Sequence, residues 1–426
     1  MANQLKVLIL TWECYPVFVG GLGVLVKDLV AELKNQGVEV TLLMPYIPAE
    51  LALEHAHSLQ KQIKKYLNKK LYIEGLDFNV DVFEANRTRY ERSFSWRSIF
   101  HRKVVSSPTH QIYSNDTPKI TRAFAFSVWD WLVKHKKLDY FDCILGMDWL
   151  TIPTFQLLKN FRNPTPFIFY INSTEYERNL DSAKRSKISQ EILDFETRFF
   201  GLADHIVAVS EITKQVLVQQ LKVAANKITV VFNDTSFQPS TNTYKLPSQN
   251  KYVLFLGRLT NQKGLYFLVD TAQKVVEIDP NIHFLIAGDG EILPKVVTQV
   301  VEKELEKNVH FLGWTNSEQK KVLYNTSDLF VMPSPSEPFG LTALEAIKSG
   351  VPVIASKNCG FVNLVKSTPT FTYHDTQTFT HLILSLLHNP QELKALVIRQ
   401  QNDLANHSWS REVAKLVALI ELFKAS

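Results

Sequence analysis

Short apolar runs alternate along the chain with longer stretches in which apolar residues recur every third or fourth position. Those two periods separate buried strands from amphipathic helices. Residues 6–11, 38–44, 142–145, 167–171, 205–209 and 227–232 read as strands in the first half, and 252–256, 283–287, 309–312, 328–333 and 351–355 in the second. Helical faces lie between them. Leu25, Leu29, Val30 and Leu33 share one face in a helix predicted over 24–36 and stopped by Gly37. Leu341, Leu344 and Ile347 share another before Gly350, and Val413, Leu416, Val417, Leu419, Ile420 and Phe423 form the stripe of a last helix. Continuous apolar strands alternating with helices predict an α/β chain with parallel sheets covered on both faces.

The first strand and first helix are joined by TWECYPVFVGGLG, so the opening βαβ unit reads as Rossmann-like. Residues 235–250, rich in Ser, Thr, Asn, Gln and Pro, read as a linker. Two Rossmann-like domains facing each other across a cleft are therefore expected, over 1–240 and 250–408, with the helix of 409–426 crossing back to the first. A length of 426 residues fits two cores better than one.

Composition narrows the class. Hydrophobic residues at 45% and charged residues at 21% describe an ordinary globular protein. The apolar start, interrupted by Glu13, reads as a strand and not a signal peptide. No run is long enough to span a bilayer. Cys14, Cys143 and Cys359 are odd in number and without metal-site or framework spacing, which points to a cytoplasmic protein. A net charge of +5 does not imply nucleic acid, and no such partner is expected. Its local distribution says more. Lys61, Lys64, Lys65, Lys69 and Lys70, then Arg87, Arg89, Arg92, Arg97, Arg102 and Lys103 interleaved with Tyr90, Phe94, Trp96 and Phe100, read either as a solvated surface or as a peripheral contact with an anionic membrane or charged acceptor.

A nicotinamide site is not supported, because the GxGxxG spacing fails at Val26 and the second strand closes on Met44 and Pro45, not on an acid. The chemistry concentrates in SEPFGLTALEA, residues 336–346, between a strand and a helix. A helix N-terminus at a sheet's carboxyl edge suits an anion. Glu337 and Glu345 are poor neighbours for a phosphate, so in a nucleotide-sugar site they would accept from hydroxyls, one set on the sugar and one on the ribose. The bland alternative is a TxxE capping box made by Thr342 and Glu345. Upstream, GRLTNQKG places Arg258 and Lys263 in a glycine-bounded loop at a strand end, a fork and a point charge suited to a diphosphate.

With GRLTNQKG, IAGDGE at 286–291, FLGW at 311–314, SEPFGLTALEA and the looser WECYPVFVGGLG, the chain resembles the retaining GT-B glycosyltransferases, especially glycosyltransferase family 4 and the bacterial glycogen and starch synthases. The resemblance implies a donor site in the cleft between domains. Its catalytic set would be Glu337, Arg258 and Lys263, the two cations on the diphosphate and Glu337 on the donor sugar. The backbone of Phe339, Gly340 and Leu341 would assist, Glu345 would hold the ribose, and Gly288, Gly20 and Gly21 would approach the donor closely. It implies no cofactor and no metal; the nucleotide-diphosphate sugar is a substrate, and the acceptor a glycan or lipid. The departures fall on the acceptor side. An HxHDW run is here Leu145-Gly-Met-Asp-Trp149, an IHST run has Asn172 for its histidine, and Phe18 stands where glycogen synthases carry lysine. An active hexosyltransferase is expected. The alternatives are a catalytically weakened donor-binding relative that partners or regulates a true transferase, another GT-B-like enzyme such as a sugar epimerase, or a binding protein.

Overall fold

Strands apolar on both faces can be buried only under helices, and both sheets are built that way. In the computed structural model, which describes residues 4–14, 21–46, 72–73, 76–77, 79–84, 117–180, 185–240 and 249–425, the first half supplies seven strands of one sheet. They are β1 (Lys6–Leu10), β2 (Glu39–Tyr46), β3 (Asn79–Glu84), β4 (Cys143–Met147), β5 (Phe167–Ile171), β6 (His205–Ala208) and β7 (Ile228–Val230). Every pairing is parallel, in the order β3-β2-β1-β4-β5-β6-β7, with Val7 opposite Val40 on one side and Cys143 on the other. The second half repeats the plan. Its strands are β8 (Lys251–Leu256), β9 (Ile282–Ala287), β10 (Val309–Gly313), β11 (Leu329–Met332), β12 (Val353–Ser356) and β13 (Thr370–Phe371), in the order β10-β9-β8-β11-β12-β13. Both are doubly wound sheets, as the alternation predicted.

The strand order reverses between β1 and β4 in one sheet and between β8 and β11 in the other. Loops leaving adjacent strands at such a reversal diverge, and the crevice at the carboxyl edge is where ligands bind in this architecture. Arg258, Lys263, Glu337, Phe339 and Gly340 lie on the loops at the second reversal.

Two expectations are corrected. Strand β3 falls in a stretch where no strand is expected; in its NVDVFE, polar and apolar residues alternate over 79–82, as suits an edge strand rather than a continuous apolar run. The first helix runs Gly21–Asn35, taking up the glycines expected in the loop. Residues 235–250 read as a linker, and the chain is fastened where that stretch begins. Asn233 and Thr235 are buried, Lys348 bridges to Asp234 at 2.8 Å and also donates to the Thr235 carbonyl, and Asp28 accepts from Ser236 N–H at 3.0 Å.

The last helix, Trp409–Ala425, packs against Gly21–Asn35 and β4. Val413, Leu416 and Ile420 are wholly buried, Trp409 Nε1 donates to the Asp28 carbonyl at 3.4 Å, and Glu412 accepts from Phe232 N–H at 3.1 Å. One apolar cluster consequently includes Val26 and Leu145 of the first sheet's layers, Phe330 and Leu344 of the second's, and Leu416 of this helix. The basic and aromatic residues singled out at 61–70 and 87–103 lie outside the described residues.

Candidate active site

The loops after β8 and β11 touch through a glycine. Gly264 has φ +70°, and a Cβ built on it would stand 2.0 Å from the Pro333 carbonyl oxygen, so no larger residue fits without moving backbone. This contact sets the turn Asn261–Lys263 beside the segment that begins SEPFG, and Lys263 Nζ forms an ion pair with Glu337. Glu337 is 8% exposed and held in a bridge to Cys359, donating its N–H to the Asn358 carbonyl and accepting from Gly360 N–H, both at 2.9 Å. Arg258 is exposed and makes no side-chain hydrogen bond or ion pair with another described residue. Gly288 has φ +140° and its missing Cβ would sit 1.9 Å from the Gly257 carbonyl oxygen; Leu259 N–H donates to the Asp289 carbonyl at 2.9 Å. The role visible for Gly288 is to let the IAGDGE and GRL loops clasp.

The capping-box alternative does not hold. Gly340, at φ +112°, precedes helix Leu341–Lys348, and no side chain caps that end. Thr342 already lies in the helix, where its hydroxyl cannot serve the N-cap. Glu345, 6% exposed, reaches instead to Lys320 Nζ, at 2.9 Å from Oε1 and 2.8 Å from Oε2, and accepts from Tyr324 Oη at 2.9 Å. Burial and the adjacent carboxylate raise the Tyr324 phenol well above its ordinary range, so it stays a donor. Phe339 is buried, its carbonyl accepting from Phe361 N–H at 2.8 Å. The two glutamates thus have separate cations and separate surroundings.

The first sheet contributes from the other side. Gly21 begins its helix close to the start of helix Leu341–Lys348: a Cβ on Gly21 would lie 3.7 Å from Leu341 Cδ1. Gly20 lies outside the described residues. The short helix Glu175–Arg178 packs on the turn Asn261–Lys263, and a Cβ on Gly360 would stand 2.7 Å from Ser210 Cβ. After β4, Asp148 adopts φ +53° and is 7% exposed; Oδ1 accepts from the backbone N–H of Asn172 at 2.6 Å and of Ser173 at 3.3 Å. Burial pushes its carboxyl up to about 6, against the opposing pull of Arg178 and the two N–H groups. Arg178 donates to the Ser173 carbonyl at 2.6 Å and pairs with Glu175 at 3.0 Å and Glu196 at 3.8 Å. Glu196 is raised well above its normal range by burial and by the nearby Glu175 and Asp148. Met147 is wholly buried in the core.

Two family profiles divide the chain between them. The profile described as starch synthase catalytic domain matches residues 6–230, more than half of the chain, and that of glycosyl transferases group 1 matches residues 237–403. The chain belongs to the GT-B glycosyltransferases of the glycogen and starch synthase type. Like it is an uncharacterized glycosyltransferase of Methanocaldococcus jannaschii, 24% identical over 383 residues that cover 85% of this chain and 83% of that one. Among solved structures, a sucrose-phosphate synthase from Thermosynechococcus elongatus matches with a TM-score of 0.77 at 19% identity, covering 99% of this chain and 100% of that one. The catalytic domain of starch synthase IV from Arabidopsis thaliana, solved bound to ADP and acarbose, matches with a TM-score of 0.69 at 18% identity and full coverage of both.

In this glycosyltransferase the residues expected from sequence assemble unevenly. Lys263 meets Glu337, Phe339, Gly340 and Leu341 surround an uncapped helix end, and Gly21 faces that end from the other domain. Arg258 touches neither glutamate, and Glu345 is bound by groups that sequence reasoning missed. Lys320 and Tyr324 stand four apart on helix Ser317–Thr326, hence on one face; that spacing was the available signal. Arg178 and Glu196 were missed too, since only the fold brings them beside Asp148. No helix among the described residues is long and apolar enough to cross a membrane.

Proposed function

We propose that this glycosyltransferase moves a hexose, with retention, from a nucleoside-diphosphate sugar to a glycan or lipid-linked acceptor. The observation that carries the reading is the uncapped N-terminus of helix Leu341–Lys348 set beside the Lys263–Glu337 pair, at the β8/β11 reversal. A helix end offers N–H groups and partial positive charge to a diphosphate, and Lys263 with Arg258, unengaged among the described residues, adds two cations. Lys263 would turn from Glu337 to the diphosphate, freeing Glu337 to accept from sugar hydroxyls. The anomeric carbon's bond to the phosphate oxygen breaks, the acceptor oxygen bonds to that carbon on the same face, and the acceptor proton passes to the departing phosphate. Positive charge fixed in advance where the leaving group gains negative charge lowers the barrier. The Arabidopsis structure, bound to ADP, supports a nucleoside diphosphate in such a fold. The peripheral membrane contact, a cytoplasmic location and independence of metal belong to the same proposal.

Incubation with UDP-, ADP- and GDP-sugars, with binding followed by calorimetry and nucleotide release by a coupled assay, tests it. Binding with acceptor-dependent release is expected of an active transferase. Binding without release across glycan and lipid acceptors would favour the weakened relative, in keeping with Met147 and Asn172 at the histidine positions. No binding of any donor would remove the reading. Co-sedimentation with anionic vesicles, lost in high salt, is expected if the membrane contact exists.

A further inference from the structure

The carboxylate of Glu345 is nearly full. Two oxygens offer about four lone-pair positions between them. Lys320 Nζ contacts both, at 2.9 and 2.8 Å, and Tyr324 Oη takes a second position on Oε2 at 2.9 Å. One acceptor position is left, on Oε1. The donors that fill the others are themselves fixed. Tyr324 is wholly buried and its Oη also lies 3.2 Å from the Thr342 carbonyl. The Lys320 ammonium sits 5.4 Å over the ring of Phe237, and that ring meets Tyr324 edge-on at 5.6 Å. Phe237 belongs to the segment joining the two halves, tied down two residues earlier where Lys348 donates to the Thr235 carbonyl. A cation over an aromatic face and against a carboxylate is held on two sides.

We infer that Lys320 is a positioning residue of the nucleotide site, holding Glu345 so that it reads one hydroxyl of a ribose and not the vicinal pair. A diol gripped through both oxygens would have to expel Lys320 or Tyr324. The lysine also neutralises a carboxylate that otherwise stands near a bound diphosphate. This rests on the proposed reading of Glu345 as a ribose partner, and goes beyond it by assigning Lys320 a part in donor selection.

Calorimetric titration of the full chain with UDP, ADP and GDP, and with the 2′-deoxy and 3′-deoxy forms of whichever binds, tests the inference. In the wild type one deoxy analogue is expected to bind about tenfold or more weakly, as befits loss of a hydrogen bond to a charged group, and the other to match the parent within about twofold. In Lys320→Met the freed positions let Glu345 accept both hydroxyls, so both analogues become weaker than the parent. Lys320→Arg, which restores a donor to both oxygens, returns the one-hydroxyl pattern. A structural role alone would shift all ligands equally. Equal weakening of both analogues in the wild type, no discrimination at all, or an unchanged pattern in Lys320→Met would each overturn the inference while leaving nucleotide binding intact. Absence of binding by every parent nucleotide would overturn the donor reading and this inference together.

Discussion

Single residues in this protein carry either packing or charge, and substitutions should tell the two apart. Arg258 is exposed and unengaged among the described residues, so Arg258→Ala should leave stability within about 0.5 kcal/mol and cost roughly 1.5–3 kcal/mol of donor binding. Lys263→Ala should cost both, because it strands the buried Glu337; about 3 kcal/mol of stability is expected from breaking such a pair. Denaturant titration beside donor calorimetry separates these outcomes, and equal behaviour of the two variants would contradict the assignment. Gly264→Ala meets the Pro333 carbonyl and a positive φ together, so a drop in midpoint worth more than about 1 kcal/mol is expected. Asp148 predicts a pH effect. Its carboxyl, raised by burial from 3.8 to about 6, keeps a proton in the folded state that the unfolded chain releases. Its stabilisation is complete below about 3.8 and lost as pH rises through about 6, by up to about 3 kcal/mol. Arg178 and the N–H groups of Asn172 and Ser173 oppose the shift, while the raised Glu196 and Glu177 titrate in the same sense. Asp148→Asn should therefore flatten part of the stability loss between about pH 4 and 6 measured by urea unfolding, and an unchanged slope would exclude Asp148 as its source.

At the level of elements, helix Trp409–Ala425 is the clearest dependency. It buries Val413, Leu416 and Ile420 completely and satisfies groups on the first helix and on the segment after β7. Full burial of three such side chains is worth about 5–9 kcal/mol, comparable with the stability of an ordinary domain. A chain ending at residue 408 should be recovered unfolded or aggregated, and a cooperative melt near that of the full chain would refute the estimate. Helix Leu341–Lys348 shows the opposite economy: its N-terminus forgoes a side-chain cap, which ordinarily contributes about 1 kcal/mol. An unfilled cap at the reversal point of a doubly wound sheet leaves N–H groups from which a bound anion would accept.

For the whole molecule, binding and stability are linked. A nucleoside diphosphate that binds only the folded chain should add about 2.7 kcal/mol at a hundred times its dissociation constant. Thermal melts with UDP, ADP and GDP should accordingly rise in the order of affinity, and no rise with a nucleotide shown to bind by calorimetry would mean that the unfolded chain binds it too. The order of strands within each sheet is tertiary, whereas the strand and helix alternation and the loops that bear Lys263, Glu337 and the helix end follow from local pattern: period, glycine placement and short apolar runs act over a few residues and survive without tertiary context. The partners of Glu345, the cluster of Asp148 with Arg178 and Glu196, and the tying down of residues 232–237 do not. They join residues far apart in the chain, and nothing in the neighbouring sequence of Lys320 says which acid it will meet. The sequence by itself determined a doubly wound α/β chain and the loops where an anion would bind. Only the tertiary structure decided which charges neutralise one another, because electrostatic pairing acts through space and is settled when the sheets bring their carboxyl edges together.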